Sequence, residues 1–188
     1  MAVLPIAKLG NPVLRKIAEP VSMEELLSEG FQLFIDDIIE TMRAKDGVGL
    51  AAPQVFQSKQ LVVIESHLNP RYTEAPEISL LVLVNPLFTF LSPEKVEGWE
   101  GCLSVDNLRG KVKRSKKAAL KALDRKGEKI EIETDTFLAL ILQHEIDHLD
   151  GKLFIDRLSP IKSARIKAKI KKFGYEVHPV SEADTEDE

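Results

Sequence analysis

Residues 137–151 read FLALILQHEIDHLDG, apolar without a break from Phe137 to Leu142 and then turning to His144, Glu145 and His148 before Gly151. Such a run predicts a helix that starts after Thr134 or Asp135, ends near Asp150 and is buried nearly all round. Two imidazoles four residues apart stand on one helix face, within reach of one metal ion. Glu145 lies about 100° further round, where it can exchange a proton with water at that ion without binding it. Buried histidines with a buried carboxylate need partners, and a metal supplies them. The chain has only four histidines, and two of them fall at ligand spacing around a glutamate. The segment is therefore read as a hydrolytic metal site on a central helix.

A catalytic metal needs a third protein ligand and an open position. Downstream of the helix the candidates are Asp150, Asp156 and His178; upstream there is the one cysteine of the chain, Cys102, within EGCLS at 100–104. A thiolate is the better soft donor, and the metal itself would keep it deprotonated. Gly101 beside it lets backbone approach a ligand closely. Spacing alone does not choose among these four.

Around this helix lie 188 residues of net charge −4, with 44% hydrophobic and 30% charged side chains. That composition excludes bulk disorder. An apolar run of six residues is far short of the roughly 20 that a membrane span needs, so no membrane partner is expected. The N-terminus carries no export signal, and a lone thiol suggests no oxidising compartment, so a cytoplasmic location is expected. Residues 1–180 read as a single catalytic domain and 181–188, SEADTEDE, as an acidic, frayed tail. Residues 109–126 hold nine Lys or Arg against one acid, and 160–173 hold six against none. Neither run interleaves aromatics as a single-strand binder would, and no DNA partner is expected.

Elsewhere the pattern alternates between helix and strand signals. Ser22 and Glu25 have the spacing of a capping box, and Leu27, Phe31, Phe34, Ile35, Ile38 and Met42 then predict one amphipathic helix ending near Ala44. Residues 61–64 and 80–84 are apolar runs of strand length. Residues 118–134 predict a hairpin turning at Arg125-Lys126-Gly127. A last helix is predicted from about Ser159-Pro160 to Phe173-Gly174. The fold class is α+β: mostly antiparallel strands packed around the central metal-binding helix, with an N-terminal and a C-terminal helix.

A further segment, GVGLAAPQ at 47–54, matches the dinucleotide pattern Gly-x-Gly-x-x-Ala. A helix precedes it and Pro53 follows, where the fingerprint requires a strand and then a helix, so the match is a decoy. A loop that exposes backbone and delivers Gln54 to a site fits better.

Taken together, GVGLAAPQ (47–54), EGCLS (100–104) and QHEIDH (143–148) resemble the three signature motifs of the bacterial-type peptide deformylases, and residues 9–21 and 151–160 resemble the family's flanking segments. The resemblance implies removal of the formyl group from the N-terminal formyl-methionine of new proteins, with release of formate. It implies that Cys102, His144 and His148 bind one divalent metal, usually Fe(II), with zinc, nickel or cobalt able to take its place. Metal-bound water or hydroxide would attack the formyl carbon, with Glu145 as general acid and base. The Gln54 side-chain amide and the Leu103 backbone N–H would hold the oxyanion. Backbone at Val48, Gly49 and Gly101 would pair with an extended substrate, and Arg109 matches a substrate-contacting position. After EGCLSV, where many relatives have Pro-Gly, this chain has Asp106-Asn107, which predicts a turn there.

For the basic run 160–173 two readings stand: a solvated helix face, and, through the resemblance, contact with ribosomal RNA. Two rival functions are a metalloendopeptidase, against which a cysteine ligand argues, and a non-catalytic metal- or ribosome-binding module. The latter has no need of Glu145 or Gln54.

Overall fold

The chain is described by a computed structural model over residues 2–67 and 76–159, together with 163, 164, 166 and 168. Helices α1 (Met23–Leu27) and α2 (Glu29–Ala44) come first, then strands β1 (Gly49–Ala51), β2 (Leu61–Ser66) and β3 (Ile78–Leu91). A ribbon of β4 (Lys95–Cys102) and β5 (Val105–Ser115) follows, then β6 (Ala118–Leu123), β7 (Lys129–Thr134) and helix α3 (Phe137–Leu149). One antiparallel sheet has the order β1-β2-β3-β6-β7, and among the described residues β4 pairs only with β5. The α+β class, with antiparallel strands around a central helix, is as expected. Among the described residues no helix is long and apolar enough to cross a membrane.

The continuous apolar run of β2 has a simple cause. Leu61 and Val63 turn to one face of the sheet and pack against Phe31, Ile35, Ile38 and Met42 of α2. Val62 and Ile64 turn to the other face and pack against Ile141, Leu142, Ile146 and Leu149 of α3. A strand covered by a helix on both sides has no polar face to show. Each such fully buried side chain contributes about 1.5–3 kcal/mol of transfer free energy. A third cluster joins Cys102, Val105, Leu108 and Val112 of the ribbon to Leu153, Phe154, Ile155 and Leu158 after α3. Helix α3 thus lies between the large sheet and the ribbon.

Helix α3 ends where its punctuation predicts but begins at Phe137, a residue or two later than expected, because Thr136 and not Thr134 or Asp135 is its cap. The Thr136 side chain accepts the Leu138 N–H, and Gly151 follows the Asp150 C-cap at φ +68°. A Cβ on Gly151 would stand 2.7 Å from the Arg15 carbonyl oxygen. Gly151→Ala, strained in both φ and space, is expected to destabilise the protein by about 2 kcal/mol. That should lower Tm by roughly 4–8 °C in a calorimetric scan.

Three expectations need correction. The single N-terminal helix is two, because Ser28 is extended (ψ 144°) and its side chain accepts the Phe31 N–H to cap a new start. The Gln32 amide then donates to the carbonyls of Leu26 and Arg125 and fixes the break, which leaves Leu27 exposed. The turn after the cysteine falls at Leu103-Ser104, and Asp106-Asn107 lie inside β5. The loop reading of 47–54 resolves into β1 and a short 3-10 turn at Ala52–Val55. Of the predicted C-terminal helix, Ser163, Ala164, Ile166 and Ala168 are helical. The remainder, the basic run with it and the acidic tail lie outside the described residues.

Candidate functional site

Three elements bring the donors together. Cys102 ends β4, while His144 and His148 lie one turn apart on α3. Their ligand atoms all fall within 4.8 Å of one another, and all three residues are buried. Cys102 Sγ is 3.3 Å from His148 Nε2. Topology thus brings Cys102, and not Asp150 or Asp156, beside the two imidazoles. Asp150 pairs with Lys152 and Asp156 with Arg15, whereas His178 lies outside the described residues. The set fits a divalent transition metal, one soft sulfur and two imidazoles leaving room for a further ligand.

Glu145 packs against the set from the same helix. Its Oε2 is buried and has no hydrogen-bond partner among the described residues. Gly49 makes this possible, since a Cβ there would stand 2.5 Å from Glu145 Oε1. Burial is the main reason that the Glu145 pKa is pushed up to about 7, with the Glu100 charge adding to it and the His144 charge opposing it. Burial, reinforced by the charges of His144, Arg114 and Arg15, holds the His148 pKa well below its ordinary value.

The 3-10 turn after β1 delivers Gln54 from the far side. Its Oε1 accepts the Ala51 N–H at 2.9 Å, which fixes the amide orientation. Its Nε2 then points at Cys102 Sγ (3.4 Å) and at Ser104 Oγ (3.2 Å). Leu103 sits in the tight turn immediately after the cysteine.

Behind the donors lies a polar network that the sequence reading did not single out. His144 Nδ1 donates to Glu100 at 2.7 Å, which leaves Nε2 as the ring nitrogen available to a metal. Arg114 Nε and Nη2 donate to the two oxygens of Glu100 at 2.8 and 3.0 Å, and Nη1 donates to Asp147. Arg157 closes the row with bonds of 3.1 and 2.6 Å to Asp147. Burial raises the Glu100 pKa, but the hydrogen bonds from His144 and Arg114 outweigh it and hold that carboxyl at about 2. The available signal was the alternation of β5, in which Leu108, Gly110, Val112 and Arg114 are buried while Arg109, Lys111 and Lys113 are exposed.

In front of the donors a cleft of roughly 660 Å³, open solvent at its mouth included, is lined by Gly47, Val48 and Gly49 on one side and residues 98–103 on the other. Phe137, Leu140 and Ile141 form its floor. Both walls are strand edges: β1 ends the large sheet, β4 ends the ribbon, and neither edge is paired among the described residues. Arg109 sits opposite Gly101 in the ribbon, its stem within contact distance of where a Gly101 Cβ would be.

A Cys-His-His donor set beside an unpartnered buried glutamate, in a cleft between open strand edges, defines a metal-dependent hydrolase. The polypeptide deformylase family model matches residues 3–164, and the chain belongs to that family. It is 45% identical to a peptide deformylase of Leptospira biflexa over 163 residues, 86% of this chain and 91% of that protein. With peptide deformylase 2 of Nostoc sp. it shares 47% over 155 residues, 82% and 86% of the two chains. The crystal structure of a class I type b peptide deformylase from Acinetobacter baumannii, bound to Met-Ala-Ser, superposes with a TM-score of 0.81 at 45% identity, covering 84% of this chain and 99% of that one.

Proposed function

We propose that this chain removes the formyl group from the N-terminal formyl-methionine of newly made proteins, with Cys102, His144 and His148 holding one divalent metal ion. Fe(II) is our assignment, with zinc, nickel or cobalt as substitutes that the same donors accept. The observation that carries the reading is the buried, partnerless Glu145 oxygen beside three ligand atoms that converge within 4.8 Å. When bound, the ion would supply Lewis acidity and an activated water. Glu145 accepts a proton from the attacking water and delivers one to the leaving amine. The C–N bond of the formamide breaks, and formate and a free N-terminus leave.

Gln54 Nε2, already turned toward Cys102, and the Leu103 N–H donate to the oxygen that becomes an oxyanion as the formyl carbon turns tetrahedral. The peptide lies extended between the edges of β1 and β4, pairing with backbone at Val48, Gly49 and Gly101, and Arg109 closes over it. A thiolate donor to Fe(II) is sensitive to oxidation, which favours a reducing, cytoplasmic setting.

Formate release from formyl-Met-Ala-Ser tests this, with protein purified without oxygen and loaded with Fe(II) or nickel. Turnover that is lost on chelation and restored by metal is the expected result. No release from protein holding one metal per chain would overturn the proposal.

A further inference from the structure

The outer face of the β4–β5 ribbon carries groups that the reaction does not use. The register sets Glu97 opposite Lys113, Trp99 opposite Lys111 and Gly101 opposite Arg109. Alternation then turns Trp99, Lys111 and Lys113 outward, while Glu100, Val112 and Arg114 turn toward α3. Trp99 lines the mouth of the cleft and is nevertheless 48% exposed. The Lys111 ammonium lies 5.6 Å from the centre of its ring, a separation at which the ring quadrupole attracts the cation. Neither Lys111 nor Lys113 forms an ion pair among the described residues; Glu97 stands opposite Lys113 in the register, and Lys111 is the cation that edges this aromatic platform.

We propose that Trp99 and Lys111 form a subsite for the side chain of the third substrate residue and that this subsite selects an acidic one. The inference rests on the extended peptide placement given above. With the methionine paired at Gly101, Trp99 lies two residues further from the metal donors, about 7 Å along the strand, the span of two residues of extended peptide. A Glu side chain there lays its methylenes on the indole and brings its carboxylate to Lys111. A Lys side chain at the same place meets the like charge of Lys111.

The test compares formyl-Met-Ala-Glu with formyl-Met-Ala-Lys on the metal-loaded enzyme. The expected ratio of kcat/KM is about fivefold or more in favour of Glu, carried in KM and compressed toward one at high salt. K111E should invert the ratio and K111A should bring it close to one. A ratio does not move when a variant merely weakens the enzyme for both peptides alike. A wild-type ratio near one, or an unchanged ratio in K111E, overturns the subsite. Release of formate from neither peptide would instead overturn the deformylation reading beneath it.

Discussion

Glu145→Gln is expected to keep its metal and to lose about a thousandfold in kcat for formate release. The amide has the size of the carboxylate, so it fits the cradle that Gly49 leaves open and brings no cavity or clash. It cannot accept a proton from water, and positioned acid–base groups are worth about 10²–10⁴ in rate. The Cys102, His144 and His148 donors are untouched, so metal stoichiometry by elemental analysis should remain one per chain. The variant therefore separates proton transfer from metal binding, which a change at any of the three ligands would confound. A Glu145→Gln enzyme within tenfold of wild type at equal metal content would remove Glu145 from the proton path. KM should move little, because the substrate contacts proposed above lie on β1, β4 and the turn at Leu103.

Why was the centre of this molecule legible from sequence, and its surroundings less so? The α3 segment carries its own evidence: an apolar run, a cap at each end and ligands at a local spacing. The hairpin of β6 and β7 is equally local, with Asp124 accepting N–H bonds from Lys126 and Glu128 across the turn. The β4–β5 ribbon lacks such a signal. Its inward face is built from Gly98, Glu100, Gly110 and Arg114 as much as from Val112, so its alternation does not show as hydrophobicity. Read as a basic run, it concealed Arg114, a buried cation among exposed ones. The break at Ser28 is hidden for another reason. Apolar spacing continues through it, and part of what holds the break is the Gln32 contact with the distant Arg125 carbonyl, which no local pattern shows. The choice of Cys102 over Asp150 or Asp156 needed topology, since 42 residues separate it from His144.

Arg114→Met should cost about 3–5 kcal/mol of stability, the usual result of leaving a buried charge without its partner. Methionine matches the arginine stem, so packing loss is a small part of the effect. Asp147 retains Arg157, but Glu100 retains only the His144 N–H and is expected to pull that ring out of register. Metal affinity should therefore fall by about 10–100-fold, as it does when a ligand loses the group that orients it. Urea denaturation with and without saturating nickel separates the two effects, because metal bound only to the folded state adds stability that grows with the logarithm of its affinity. Arg114→Lys should recover little, since one ammonium cannot replace a fork that holds both oxygens of Glu100 and reaches Asp147 as well. Pairing Arg114→Met with Glu100→Gln should destabilise less than the two single changes added together, because the second removes the charge that the first strands. Additive losses would mean that Arg114 acts on α3 through Asp147, and the arginine would then not be what orients His144.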